Sequence, residues 1–357
     1  MIPLLACVAV SEPEPVPPLP DVVLVVVETW RADRVGRMPF VQSLAARGRT
    51  YEQAWSPAPW TLPSVTSMMT GAWPHETGVV RTEHGLDEEW TTLAESMSAR
   101  GYQTAFLGVN ELFTHERGLE QGYDSFVAGT GWSADRVRQE LKGLERDGRP
   151  LFLHLHLFEP HCPYWAPRSH RFTLEVEGEE RVDPELLAAA PDCHRLADGE
   201  DRLGAWFARY DEELIALDGQ LERILRPYEG ARLVLVGDHG ESLWEEGLIG
   251  HGEHLVDPAL RVPLLVVEPG EAPRTLSEPI SGREVYRLVQ GEAPEAVVLT
   301  ETSQVQPRAC RVLLGDPTLC SRPVAVAPLL SLAPDQLQAL EALGYTQVVP
   351  SPLTGEP

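Results

Sequence analysis

Thr61 stands in the stretch PAPWTLPSVTSMMTGAWPHETGV, Pro57–Val79, two residues ahead of Pro63. A threonine where a helix begins can simply cap it. The same place suits a nucleophile, because a helix start offers oriented N–H groups and partial positive charge to an anionic ester. A threonine hydroxyl is a weak nucleophile at neutral pH, and coordination to a divalent cation lowers its pKa. Ligands of the right kind are present. Glu28 ends the run DVVLVVVE, and Asp238 and His239 end ARLVLVGDHG. Carboxylates with an imidazole suit zinc, manganese or, with more oxygen ligands, calcium.

Residues 28, 61 and 238 are far apart, so a scaffold must bring them together. Asp21–Glu28 is a continuous β-branched run, the pattern of a buried parallel strand. Pro150–His161 and Ala231–Gly240 read as further strands. Helical spacing marks Met38–Gly48 and the long amphipathic segment Phe207–Tyr228, while Thr92–Gly108 reads as helix, glycine, strand. This alternation predicts an α/β fold with a mostly parallel central sheet and helices on both faces. Ligands of such sheets bind beyond the carboxyl ends of the strands, where Glu28 and the Asp238-His239 pair fall. After about Glu268, Pro, Gly and short strand-like pieces such as AVVLTET and CRVLLGD predict a small antiparallel subdomain. A short helix, Ala333–Tyr345, closes it. The expected division is 1–20 as leader and tether, 21–268 as catalytic domain and 269–357 as the subdomain.

The chain has 357 residues, and 29 Lys+Arg against 54 Asp+Glu leave a formal charge of −25. So acidic a surface repels phosphate backbones, which argues against a nucleic-acid partner. A small anionic substrate stays compatible, because a bound cation reverses the field locally. The opening segment has no run long enough to span a membrane. Leu4-Leu5-Ala6-Cys7 looks like a lipobox with Cys7 as the lipidated residue, although no basic region precedes it. The Pro-rich tract Ser11–Pro20 fits an extended tether. Setting Cys7 aside leaves four cysteines, and the local pairings are Cys162 with Cys193 and Cys310 with Cys320. The alternative is four reduced thiols.

The strings VLVVVETWRAD, SPAPWTLPSVTSMMTGAWPHETGV, LFEPHCPY, YDEELIALDGQLERIL and LVGDHGESLWEEGLIGHGEHLVDPALRVPLLV resemble, in order and spacing, the sulfatase branch of the alkaline phosphatase superfamily. The resemblance implies that Glu28, Thr61, Asp238 and His239 hold one divalent metal and that Thr61 is the nucleophile. It places His161 and His251 at the substrate anion or at a second metal, with His254 a less certain neighbour. The sequence also departs from the pattern. Where formylglycine sulfatases carry an oxidisable Cys or Ser, this chain has Thr61. The supporting Arg is Val65, the sulfate-binding Lys is Val109, and the second carboxylate of the usual Asp pair is Thr29.

The expected activity is a metal-dependent hydrolase of sulfate, phosphate or phosphonate esters, working through a covalent Thr61 ester with His161 or His251 protonating the leaving group. A phospho-group transferase on an envelope glycan or lipid head group is the runner-up, and the lack of membrane-spanning helices weighs against it. A metal-stabilised binding module without activity is the third reading. A bacterial envelope location, periplasmic or as an outer-membrane lipoprotein anchored through Cys7, is the expectation that follows. His154 and His156, alternating with Leu on a strand, and His75 are expected to be structural. Glu245, Glu246 and Glu253 are expected in solvent, and specificity in loops such as Arg168–Asp201.

Overall fold

All six side chains of the strand Val22–Val27 (β1) are fully buried. A strand covered on both faces explains why its sequence is continuously apolar rather than alternating. In the computed structural model, described for residues 19–113, 117–129, 134–164, 203–296, 298–301, 310–314 and isolated positions from 325 to 330, this strand lies inside an eight-stranded sheet. The strands that follow are Arg49–Tyr51 (β2), Ala54–Trp55 (β3), Gln103–Val109 (β4), Ser125–Gly129 (β5), Leu151–Leu157 (β6), Arg232–Gly237 (β7), Ser242–Leu243 (β8), Ile249–Gly250 (β9), Arg261–Val262 (β10), Leu264–Val267 (β11), Arg274–Leu276 (β12), Ile280–Ser281 (β13), Val298–Glu301 (β14) and Cys310–Leu314 (β15). The helices are Pro39–Ala45 (α1), Thr61–Thr70 (α2), Pro74–Thr77 (α3), Leu93–Ala99 (α4), Ala134–Gly143 (α5), Leu203–Leu225 (α6), Asp257–Leu260 (α7) and Val285–Gln290 (α8).

The sheet order is β12-β2-β11-β7-β1-β6-β4-β5. The run from β7 to β5 is parallel throughout, and β11 joins it antiparallel to β7. The expected α/β fold is therefore present. One face of the sheet carries Val22, Leu24 and Val26 against Leu62, Val65, Met68 and Met69 of α2, Met97 of α4 and Leu288 of α8. The other carries Val23, Val25 and Val27 against Val41 and Leu44 of α1 and Tyr210, Leu214, Leu217 and Leu221 of α6.

Beyond residue 268 the chain returns to the main body. β12 is the edge strand of the large sheet beside β2, β13 pairs with β3, and α8 packs its buried Leu288 on the α2 face. Only then does the antiparallel pair β14–β15 follow. Cys7, Cys193, Cys320, the tether up to residue 18, the loop Arg168–Asp201 and the segment Ala333–Tyr345 lie outside the described residues. Among the described residues no helix is long and apolar enough to cross a membrane.

Candidate active site

Parallel register sets the level of the site. Val27 pairs with Leu157 on one side and Gly237 on the other. The next residues, Glu28 and Asp238, therefore leave neighbouring strands side by side. The Glu28 amide donates to the Leu157 carbonyl (3.0 Å) and the Asp238 amide to the Val27 carbonyl (3.2 Å), extending the ladder by one step. Both carboxylates are fully buried.

Thr61 is brought to this sheet end by α2. The helix begins at Thr61 itself, with Trp60 in extended conformation at the cap position and no side-chain cap bond. The capping role open to Thr61 from the sequence is thus not its role here. Its Oγ1 lies 3.1 Å from Nε2 of His239 instead. His239 Nδ1 lies 2.9 Å from the Gly240 carbonyl. A carbonyl can only accept, so Nδ1 carries the ring proton and Nε2 presents its lone pair. Gly240 is required by the close passage of another segment: a Cβ there would meet the Pro258 carbonyl oxygen at 2.0 Å.

Asp238 Oδ1 accepts the amides of Thr29 (3.1 Å) and His239 (2.7 Å). Its carbonyl accepts the Ser64 hydroxyl at 2.6 Å, with Ser56 Oγ beside both. Thr29 holds φ at 51°, a left-handed conformation costly for a β-branched residue. Tyr210 of α6 clamps that turn, donating to the Thr29 carbonyl (2.5 Å) and accepting the Arg31 amide (2.9 Å).

His251 and His161 complete the cluster. The His251 ring lies 4.4 Å from that of His239 and 5.0 Å from that of His161, centroid to centroid. His251 Nδ1 lies 3.1 Å from Glu241 Oε1. Burial works against its charged form, yet the carboxylates of Glu241, Asp238 and Glu28 together outweigh burial and raise its pKa. His239 is pushed the other way, by burial and then by the neighbouring His251. The structure thus gathers Glu28, Thr61, Asp238, His239, His161 and His251 at one sheet end. His254 is set apart, half-exposed and 3.8 Å from Glu253.

Two neighbours were not legible in the sequence. Glu28 Oε1 is 2.7 Å from Nε2 of His156 and accepts Asn110 Nδ2 at 2.6 Å. His156 was expected to be structural; it is buried, and it also touches the carboxylate of the candidate site. His154, on the same strand face, bonds Tyr123 (2.8 Å). Glu245 departs from its expected solvation: it pairs with the buried Arg31 guanidinium at 2.6 Å. Glu253 is exposed as expected, and the Glu246 side chain lies outside what is described. Val65 and Val109 are both buried in apolar cores, so neither position offers a cation.

The donors fit a divalent cation. Burial raises the pKa of both Glu28 and Asp238, and Glu28 raises that of Asp238 further. Glu28 Oε2 and Asp238 Oδ2 are buried without a hydrogen bond. Two such carboxylates side by side call for a cation. Among the described residues no three His, Cys, Asp or Glu groups stand at ligating positions, and the fourth donor here is the hydroxyl of Thr61. Donor chemistry, not closed ligand geometry, is what fits the ion.

A family model described as Sulfatase matches residues 20–144 and 133–287. The chain belongs to the sulfatase family. It is similar to the ulvan-active sulfatase of Formosa agariphila, 23% identical over 81% of this chain and 65% of that protein. It is also similar to PehA of Trinickia caryophylli, a multifunctional alkaline phosphatase superfamily protein, at 21% identity over 70% of this chain and 68% of that one. The chain thus spans about two thirds of the length of these curated relatives. In fold it is similar to the phosphonate monoester hydrolase of Agrobacterium radiobacter, with a TM-score of 0.64, 17% identity and coverage of 79% and 80%.

Proposed function

We propose that this sulfatase-family chain is an ester hydrolase that uses Thr61 as its nucleophile and a single divalent metal, zinc, manganese or calcium. The observation that carries this reading is the position of Thr61 Oγ1. It stands at the first turn of α2, 3.1 Å from His239 Nε2 and beside two buried carboxylates. Glu28, Asp238, His239 and Thr61 would hold the metal, which supplies a lowered hydroxyl pKa and neutralises charge on the transferred group. The positive end of the α2 dipole lies at Thr61 and favours an anion there. Thr61, its hydroxyl proton given up to solvent, attacks the sulfur or phosphorus atom, and a covalent Thr61 ester forms as the bond to the departing oxygen breaks. His251 gives its proton to the departing oxygen, held in place by Glu241, with His161 adjacent. Water then cleaves the Thr61 ester, returning a proton to the imidazole.

The charge of the site points to monoanionic esters. Val65 and Val109 stand where two fixed cations would, so among the described residues the imidazoles of His161 and His251 are what offsets the substrate charge beside the metal. Phosphodiesters and phosphonate monoesters carry one negative charge, as sulfate esters do, whereas phosphate monoesters carry two. Thr61 cannot become formylglycine, which disfavours sulfate. The sulfate-active relative keeps a sulfated glycan as the competing substrate class. The test is kcat/KM for matched nitrophenyl phosphate, phosphodiester, phosphonate and sulfate on one metal-loaded preparation. Phosphodiester or phosphonate turnover is expected to lead. Sulfate turnover tenfold above both would overturn the preference.

An envelope location completes the proposal. Cys162 is a disulfide cysteine, which supports an oxidising compartment, and Cys7 would carry the lipid.

A further inference from the structure

Glu28 carries its carboxylate on two methylenes, so the orientation of that carboxylate must be fixed before it can serve as a ligand. The structure fixes it from two other strands. In the sheet β1, β6 and β4 are adjacent and parallel, with Val26 level with His156 and His156 level with Gly108. Residues two apart on a strand share a face. Glu28 lies two residues past Val26, and Asn110 two residues past Gly108, so His156, Glu28 and Asn110 arrive on the same face at the carboxyl ends of three neighbouring strands.

The bond from Asn110 has a definite sense. Asn110 Oδ1 accepts the Leu112 amide at 2.7 Å, which turns its NH₂ toward Glu28. The imidazole of His156 is fully buried, and the Phe113 ring packs on it with centroids 4.4 Å apart. Both groups converge on the same carboxylate oxygen, Oε1 (2.6 and 2.7 Å). The other oxygen, Oε2, is buried and has no hydrogen bond.

We infer that His156 and Asn110 are positioning residues that hold Oε1 of Glu28 and so leave Oε2 as the lobe for a divalent cation. This rests on the metal-dependent reading of the site. Partners that orient a ligating side chain typically change metal affinity about 10- to 100-fold when removed.

The experiment is competition of manganese and zinc against a chromophoric chelator, on wild-type protein and on His156→Leu, His156→Gln and Asn110→Ala. Each variant is first checked for cooperative thermal unfolding. The expected result is metal affinity about 10- to 100-fold weaker in His156→Leu and in Asn110→Ala. In His156→Gln, whose amide NH₂ can reach where Nε2 stood, affinity returns to within about threefold of wild type. If His156→Leu fails to fold, Asn110→Ala and the Gln variant carry the test. Folded variants that bind metal as wild type does overturn this inference alone. A folded wild-type protein that binds neither metal overturns both this inference and the metal-dependent function. Weakened affinity in Leu and Gln variants alike reduces His156 to a packing role and overturns it as well.

Discussion

Ser64 donates its hydroxyl proton to the backbone carbonyl of Asp238 across 2.6 Å. The bond joins the first turn of the helix that presents Thr61 to the strand end that presents the candidate metal carboxylate. Helix and sheet packing alone would leave some freedom to slide. This bond, with Ser56 beside it, fixes the separation of nucleophile and ligand.

Ser64→Ala is therefore expected to cost stability and turnover together. Ser56 remains near the carbonyl, so the stability loss should be about 1 kcal/mol. Urea unfolding and kcat on the best ester found check it. A variant of unchanged kcat would show that the bond only supports the fold.

Thr61→Ala should abolish turnover with the fold intact. Removing the nucleophile of a covalent mechanism costs on the order of a thousandfold or more in kcat. Near-normal activity in a correctly folded Thr61→Ala protein would refute the covalent role.

Chelation should remove activity, and a divalent cation should restore it. Glu28→Gln and Asp238→Asn should show sharply reduced metal content by elemental analysis. Added metal should also raise the Tm of wild type, since a ligand at about 100 times its Kd adds about 2.7 kcal/mol. A wild-type Tm indifferent to every metal tried would contradict the site.

Stability should fall at low pH partly through Asp33. Burial opposes its ionised form, but its paired hydrogen bonds to Arg31, both 2.9 Å, and the charges of Arg31 and Arg34 together outweigh burial and lower its pKa. A carboxyl with a depressed folded-state pKa contributes stability above its unfolded value, about 3.9. That contribution is lost as pH falls through the folded-state value. Asp33→Asn should thus be less stable than wild type near pH 6, and the gap should close as pH drops below about 3.9. Urea midpoints across pH measure it, and a gap that widens in acid would reverse the sign.

Thiol counting on denatured, unreduced protein from an oxidising compartment should find no free thiol among Cys162, Cys193, Cys310 and Cys320. Four free thiols would contradict both the pairing and the compartment.

The sheet was legible because a parallel strand covered on both faces needs an unbroken apolar run, and Val22–Val27 supplies one. The gathering of Glu28 with Asp238 was legible because each directly follows such a run. The Asn110 and His156 contacts were not, because they depend on which strands are neighbours and at what register. Nothing local in LFLHLHL says that its second histidine ends level with Val26. Glu245 was misread for a related reason: its partner Arg31 lies more than two hundred positions earlier, and the pairing exists only once β1 and the segment after β7 meet.

The central place of β1 also bears on biosynthesis. Its partners begin at Leu151 and Arg232, so Val22–Val27 leaves the ribosome long before either exists. Until then an uncharged, β-branched hexapeptide has both edges unpaired and both faces bare, the condition most prone to intermolecular strand pairing. Pairing at such separations is slow, because chain entropy must be lost before contacts form. The strand that ends in Glu28 is thus a natural holding point for chaperones during synthesis.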